Sequence, residues 1–496
     1  MAPAPKLIPT PTYAPLPTPL RSSFGALDAP PSSYHGSSTS GAQDSEAYIL
    51  SIASINGAKE LAVATSSPSN AIHIVDAETL RFVRSLNGGG PLGLGAFQST
   101  VGKKGKQAAQ AGVGGIQAHV GGVTCLKAYG EMGEGLISCG KEGSVVIWDA
   151  RSGAAGVKMY ASGMGGKARP LLSCDISADG WTVAAGSELQ GDDAVITYWD
   201  PRNPTATLRS HTSTHSDDVT VVSFAPTSYI LPALPSSPSG DLEMSSESQG
   251  QSSDKLILLT GSTDGLLAIS DANEEDEDEA VLLTANWGTS VAQAGWVGDQ
   301  GVWAGSDMET FSTWSAELDP VLDFDIREPG AHTEKAEWVT DYLVTAQSTA
   351  NSQLRVFVGS NEGDISLIST PQPLQKAAPS PRKRKSTSIA DAGVAPWCLH
   401  TSWTHQHVGV VRALLCDEKN GVVVSGGEDA RLHVWRDPCA GRLEYAGGEA
   451  EDVEMRMDVD DEEEERQQRK REKNARKRAV EEDEDDAMDG GKRRRR

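Results

Sequence analysis

The sequence predicts an all-β fold, a seven-bladed propeller, and three observations carry that expectation. A phrase made of an apolar triplet, a small polar turn and a second apolar run recurs along most of the 496 residues. Its clearest copies are Leu136 to Asp149 (LISCGKEGSVVIWD), Trp181 to Asp200 (WTVAAGSELQGDDAVITYWD), Leu258 to Asp271 (LLTGSTDGLLAISD) and Val422 to Trp435 (VVVSGGEDARLHVW). The composition agrees, with 51 glycines for turns and few aromatic residues apart from 11 tryptophans. No apolar run approaches the roughly 18 residues that a membrane helix requires.

Each phrase reads as two short strands, because apolar and polar residues alternate on either side of a centre rich in turn formers. Those centres are Lys141-Glu142-Gly143, Thr263-Asp264-Gly265 and Glu428-Asp429-Ala430. With weaker copies admitted, seven units are centred on Ile72 to Asp76, Val145 to Asp149, Val195 to Asp200, Leu266 to Asp271, Thr310 to Trp314, Ile365 to Ile368 and Arg431 to Trp435. Self-similarity at about 40 residues with a Trp-Asp ending resembles the WD40 repeat. One blade alone cannot bury both faces, so the copies are expected to stack round one axis as a single cooperative unit.

In chain order, residues 1–44 form a Pro/Ser-rich leader with too little apolar periodicity to pack, and we expect them to be disordered. MAPAPKLIPTPTYAPLPTPL lacks the charged-then-apolar order of a secretory signal. Residues 45–446 are assigned to the propeller, with long loops inserted at about 88–115, 228–254 and 371–395. Residues 447–496 are a tail of alternating acidic and basic blocks, a pattern that does not fold alone. Two segments compete to supply the strand that closes the ring beside Arg431 to Trp435, namely Leu20 to Phe24 and Leu443 to Tyr445.

Charge narrows the partners. The whole chain carries −25; from Glu449 onward 19 acids against 14 bases leave −5, so the residues before the tail carry −20. Nucleic-acid affinity depends on basic side chains that displace counterions, so an acidic core argues against nucleic acid as its direct ligand. Basic proteins or peptide segments match it better. The basic clusters at Arg382, Lys383, Arg384 and Lys385, at Arg466 to Arg478, and at Lys492, Arg493, Arg494, Arg495 and Arg496 read as nuclear import signals. The six cysteines lack C-x-x-C spacing and read as reduced, buried thiols of a nuclear or cytosolic protein.

His407, Ser425 and Asp429 would look catalytic on a list, but their order along the phrase argues for structure. His407 precedes the first strand, Ser425 ends the second, Asp429 lies in the turn and Trp435 closes the third. In WD40 repeats such a set resembles an internal tetrad of side chains hydrogen-bonded in series. His119, Ser138 and Trp148 repeat the pattern with Glu142 in place of Asp, whereas Ser270 replaces the Trp of another copy. His405 and His407 have metal-like spacing without nearby carboxylates or thiols, and the Gly-rich stretches lack the Lys-Ser/Thr of a phosphate loop. We therefore expect no catalytic residue, metal or cofactor.

Two patterns point to partners. Trp148-Asp149-Ala150-Arg151 and Trp199-Asp200-Pro201-Arg202 place an Asp and an Arg after two successive third strands. This looks like the paired W-D-x-R box of substrate receptors of cullin-4 ubiquitin ligases, where the box faces the ligase's linker protein; a turn-internal role for Asp and Arg is the structural alternative. Asp192 and Asp193 before one third strand, and Asp217 and Asp218 at the entry to the next blade, are expected to join into an acidic patch for a basic segment. The alternative is that Asp217 and Asp218 serve their own backbone turns.

Thr214 to Thr220 (THSDDVT), Leu259 to Asp271, the acidic Asn273 to Glu279, Gly191 to Arg202 (GDDAVITYWDPR) and Gly426 to Trp435 together resemble the WD repeat-containing protein 89 family. The resemblance spans about Tyr48 to Asp437 and leaves out the leader, the long loops and the tail. It implies a seven-bladed propeller without catalytic activity and brings no defined molecular function. The sequence thus leads to a non-catalytic nuclear scaffold, with the cytoplasm as a second compartment, acting as a monomer within a complex. A cullin-4 substrate receptor and a ribosome assembly factor are the alternatives.

Overall fold

The computed structural model describes residues 6–23, 47–86, 119–163, 167–231, 255–333, 336–370 and 397–440. Two strands, β1 (Leu7–Leu16) and β2 (Arg21–Ser22), precede the repeats. Blade one is β3 (Ile49–Ile55), β4 (Glu60–Thr65), β5 (Ile72–Asp76) and β6 (Phe82–Ser85); blade two is β7 (Val123–Tyr129), β8 (Gly135–Gly140), β9 (Ser144–Asp149) and β10 (Ala155–Tyr160). Blade three comprises β11 (Leu171–Ile176), β12 (Val183–Ser187), β13 (Ile196–Trp199) and β14 (Thr207–His211). Blade four comprises β15 (Val219–Phe224), β16 (Ile257–Ser262), β17 (Leu266–Asp271) and β18 (Val281–Asn286), with the one-turn helix α1 (Glu277–Ala280) before its last strand. Blade five is β19 (Val291–Val297), β20 (Gly301–Ser306), β21 (Thr310–Ser315) and β22 (Pro320–Asp325). A short hairpin, β23 (Ala331–Thr333) and β24 (Ala336–Trp338), leads to blade six, which is β25 (Tyr342–Ser348), β26 (Leu354–Gly359), β27 (Ile365–Ser369) and β28 (Trp397–Trp403). Blade seven has β29 (Val411–Asp417), β30 (Val422–Gly427) and β31 (Leu432–Arg436).

Each blade is an antiparallel meander, and the seven repeat centres read from the sequence are the seven third strands. The first strands of successive blades pack side by side all the way round, including β29 against β3, so the ring is closed. Burial follows from this layout. Second strands such as β8, β16, β20 and β26 are buried at every position because a neighbouring blade covers each face, whereas fourth strands such as β6 and β14 are mostly exposed. This is why the second strands read as unbroken apolar and small residues rather than as an alternation.

Small residues set how closely blades approach. A Cβ on Gly426 would lie 2.5 Å from Ile49 of blade one, and one on Gly305 would lie 2.2 Å from Leu343 of blade six. Gly186 and Gly261 meet Val219 and Val291 of the next blade in the same way. A larger side chain at these four points would force the wedges apart.

The N-terminal segment corrects the expectation of a wholly disordered leader. β1 pairs in parallel with β28 as a fifth strand of blade six, and β2 pairs with β31 as the fourth strand of blade seven. Five prolines between Pro9 and Pro19 are compatible with this because an edge strand bonds through one side only. Leu7 and Thr10 are buried, Thr401 donates to Ala14 O at 2.9 Å, and Leu20 N and Ser23 N donate to Val434 O and Leu432 O at 2.7 and 2.8 Å. Of the two candidates for ring closure, Arg21–Ser22 holds the position; Leu443 to Tyr445 lies outside the described residues, as do the expected insertions, apart from residues 228–231, and the C-terminal tail. Arg21 also reaches across to blade one, donating from Nη1 to Ala77 O and Glu78 O at 3.0 and 2.8 Å.

Removing residues 1–23 would therefore expose the edges of blades six and seven together. The truncated chain is expected to melt several degrees lower and to aggregate, as read by calorimetry and light scattering. An unchanged melting temperature would show that the strap contributes nothing to the ring.

Candidate functional site

A meander of four strands sends the second-to-third turns and the blade-to-blade connections to one side of the ring, here called the upper face. The remaining turns go to the lower face. The upper face collects the polar chains and the acidic patch; the two W-D-x-R turns lie below.

In blade seven, Trp435 Nε1 donates to Ser425 Oγ at 2.8 Å, Ser425 Oγ lies 2.7 Å from His407 Nε2, and His407 Nδ1 lies 3.1 Å from both Asp429 oxygens. An indole only donates and a carboxylate only accepts, so with a neutral imidazole the chain runs one way: Trp435 donates to Ser425, Ser425 to His407, and His407 to Asp429. Blade two repeats the chain, with Trp148 Nε1 to Ser138 Oγ at 2.8 Å, Ser138 Oγ to His119 Nε2 at 2.7 Å, and His119 Nδ1 to Glu142 Oε1 at 2.5 Å. Every polar group in these chains has a partner, and Ser425 and Ser138 are fully buried, each Oγ held between an indole and an imidazole.

Blade four holds a third chain that the sequence reading missed. Thr260 Oγ1 lies 2.8 Å from His215 Nε2, and His215 Nδ1 lies 3.3 Å from Asp264 Oδ2. His215 thus belongs to the interior of the blade, 3% exposed. The Trp position is Ser270, buried, with no hydrogen-bond partner for its Oγ.

Burial alone would raise the carboxyls of these chains, yet their partners win. The hydrogen bond and charge of His119, with Ser144 Oγ, hold Glu142 down at about 2, and His215 with the amides of Ser216 and Leu266 holds Asp264 at about 2. Asp429 is lowered in the same way by His407. Beside the blade-seven chain, His433 Nδ1 bonds Ser22 Oγ at 2.7 Å, and burial together with His407 lowers His433 to about 4. His407, Asp429 and His433 are the one group of three potential metal ligands found together among the described residues. His407 is fully engaged by Asp429 and Ser425, so the geometry there is that of a hydrogen-bonded chain.

A second buried ionic contact was also missed. Arg355 of blade six donates from Nη2 to Asp437 Oδ2 at 2.7 Å, with Cys416 Sγ of blade seven 3.0 Å from Nη1. Both charged side chains are essentially inaccessible. Asp437 follows Trp435 by two residues, so the aspartate of the Trp-Asp ending is displaced by one position; that displacement was the available signal.

On the upper face, Asp192 is exposed and Asp193, Asp217 and Asp218 are half-buried. Asp218 Oδ1 accepts from Leu189 N at 2.7 Å, which ties the entry to blade four to the blade-three turn that carries Asp192 and Asp193. Asp217 Oδ1 accepts from Asp218 N at 2.8 Å. Asp217 and Asp218 thus both accept backbone amides, the turn role that the sequence offered as the alternative, and Asp192 and Asp193 lie in the adjoining blade-three turn.

The two lower-face arginines differ. Arg202 forks onto Asp200, from Nε at 2.9 Å and Nη2 at 2.7 Å, and stacks 4.5 Å over the exposed ring of Trp181. Arg151 reaches only 3.9 Å from Asp149 Oδ1 and is 81% exposed, while Asp149 Oδ1 accepts the turn amide of Arg151 at 2.9 Å. Arg327 makes the same fork onto Asp325 after a fourth strand, on the opposite face. The Asp-x-Arg fork is thus a recurrent turn device in this chain. The basic clusters at Arg382 to Lys385 and Lys492 to Arg496 lie outside the described residues.

Ser425→Ala would leave both Trp435 Nε1 and His407 Nε2 buried and unpaired, at about 1–3 kcal/mol for each group. Thr260→Val strands only His215, so urea unfolding should show a smaller loss for it than for Ser425→Ala; equal losses would contradict the serial chains. The pH dependence has a definite sign. Glu142 titrates lower in the folded chain than its ordinary 4.5, so its contribution is present above about 4.5 and is lost as pH falls towards 2. Glu142→Gln should therefore be less stable than the parent at neutral pH, with the gap closing through that window, as followed by denaturation at stepped pH.

Comparison with known proteins fits this geometry. No protein-family profile matches the chain. It is 27% identical to an uncharacterised WD repeat-containing protein of Schizosaccharomyces pombe over 320 residues, 61% of this chain and 79% of that protein. It is 32% identical to an uncharacterised WD repeat-containing protein of Saccharomyces cerevisiae over 178 residues, 35% of this chain and 38% of that protein. It is 21% identical to the WD repeat-containing protein 89 homologue of Dictyostelium discoideum over 310 residues, 60% of this chain and 67% of that protein. Seven blades built on four-stranded meanders, Trp-Ser-His-carboxylate chains in two of them and these relatives identify the chain as a WD40-repeat protein.

Proposed function

We propose that this protein is a nuclear interaction scaffold whose upper face receives a basic, peptide-like segment of a partner protein. A WD repeat propeller is an architecture for protein–protein interaction, and the acidic patch carries the finer reading. Asp192, Asp193 and Asp217 stand together on adjoining blades, fixed by the Asp218 to Leu189 bond. Exposed apolar side chains share that face, among them Val120 before β7, Met308 between β20 and β21, and Val408 before β29. Acids interspersed with apolar contacts suit a basic segment that also carries apolar side chains. The basic clusters at Arg382 to Lys385 and Lys492 to Arg496 support a nuclear address.

A second reading, docking to the linker protein of a cullin-4 ligase, draws its support from Arg151, which is exposed and only loosely held by Asp149. Arg202 counts against it, because its guanidinium is already engaged by Asp200 and Trp181.

The test is affinity purification of the full chain from nuclear extract beside two variants, with co-purifying proteins identified by mass spectrometry. Asp192→Lys, Asp193→Lys and Asp217→Lys together should remove basic partners and leave others. Asp218 is kept because its bond to Leu189 N ties the two blades together. If instead the ligase linker protein is captured and lost with Arg151→Ala and Arg202→Ala, the second reading holds. Basic partners retained by the charge-reversed chain, or recovery of the wild type from cytoplasmic extract alone, would sink the first.

A further inference from the structure

Three of the six cysteines come together where blades two and three meet. Cys125 on β7 and Cys139 on β8 are directly opposite in the antiparallel register, and Cys174 on β11 approaches from the next blade. The Cys125 thiol lies 3.6 Å from Cys174 O, and Thr124 Oγ1 lies 3.3 Å from Cys139 Sγ. Cys139 and Cys174 are buried within an apolar cluster, whereas Cys125 packs against that cluster half-buried. Lys127, two residues along β7, places its ammonium 3.2 Å from Asp175 Oδ2 and 2.8 Å from Val222 O.

We infer that these residues form a thiol site sensitive to hydroperoxides, in which Cys125 is oxidised first and Cys139 closes a disulfide within blade two. The argument rests on placement. Directly paired residues on antiparallel strands have Cα atoms about 4.5–5.5 Å apart, within the roughly 4.4–6.8 Å that a disulfide spans. Cys125 is also the one member of the cluster that is not fully buried as a residue. The electrostatics act in the same direction: the neighbouring thiols of Cys139 and then Cys174 hold the Cys125 thiol well down against its burial, and the Lys127 ammonium adds to this. Burial pushes Cys139 and Cys174 up. One group is thereby disposed to be a thiolate, and its neighbours remain thiols able to resolve it.

The chemistry balances. The Cys125 thiolate attacks the distal oxygen of the hydroperoxide, the O–O bond breaks, and the departing alkoxide takes up a proton to leave as an alcohol, or as water when the oxidant is hydrogen peroxide. Cys125 is then a sulfenic acid. Sulfur of Cys139 attacks sulfur of Cys125, the S–O bond breaks, and hydroxide leaves as water with the proton of the Cys139 thiol. Two thiols lose two electrons to one peroxide.

The experiment uses the full chain, reduced and then exposed to hydrogen peroxide. The expected product has lost the mass of two hydrogens and yields a Cys125–Cys139 peptide on non-reducing digestion. Cys139→Ser should instead trap the Cys125 sulfenic acid, captured by a cyclic 1,3-dione. A second measurement needs no variant: iodoacetamide should modify Cys125 of the native chain at least about tenfold faster than Cys416, whose thiol burial pushes up to about 12. Equal rates at the two cysteines, or a link from Cys125 to Cys174 instead, would overturn the assignment.

Discussion

A propeller is a ring of wedges, none of which covers its own faces, so the whole depends on the last wedge being held against the first. Here β29 and β30 pack against β3, and a very short element completes the last wedge and reaches the first. Blade seven supplies three strands from the end of the repeat region and takes its fourth, Arg21–Ser22, from the beginning. Backbone bonds from Leu20 and Ser23 to Val434 and Leu432 frame it, and Ser22 Oγ bonds His433. Arg21 extends the closure to the turn of blade one. The strand just before it, β1, lies on the neighbouring blade, so one N-terminal strap covers two adjacent free edges.

Inside the ring, different blades are stabilised by different means. Blades two and seven each carry a full Trp-Ser-His-carboxylate chain from interior to upper face, and blade four carries the chain without its tryptophan. Blades five and six rely on aromatic packing, with Phe311, Phe324 and Trp397 edge to face. Between blades six and seven a buried Arg355–Asp437 pair is added. Its loss on one side would strand a charge in a dry interior, so it acts as a specific lock on that junction. The uneven distribution of these devices explains why the repeats diverge so much while sharing one geometry.

Much of this was readable from residues. The seven third strands were found because buried runs end in Trp-Asp or its remnants and are preceded by tight turns. The blade-seven and blade-two chains were found because His, Ser and Trp recur at near-constant spacing, with 18 and 19 residues from His to Ser. The blade-four chain escaped because a long insertion between β15 and β16 stretches the same interval to 45 residues. The closing strand was one of two candidates, within Leu20 to Phe24, whereas β1 escaped because its prolines resemble those of a disordered segment and because its register shifts between Pro9 and Ala14, which hides any alternation. The two W-D-x-R motifs are identical as patterns and unlike in space, since Trp181 lies beneath Arg202 and lies outside the motif altogether. Spacing along the chain reports local geometry well and reports contacts between loops poorly.

The functional reading depends on a rigid upper face, and that rigidity depends on the ring being closed. The most direct test is native-state hydrogen exchange at the amides of Leu20 and Ser23, compared with those of β30. If the N-terminal strand closes the ring, these amides exchange only with the global unfolding of the propeller, as slowly as the buried second strand of blade seven. Exchange at the rate of an exposed loop, with β30 still protected, would mean that blade seven stands without its fourth strand and that the ring is held together by other contacts.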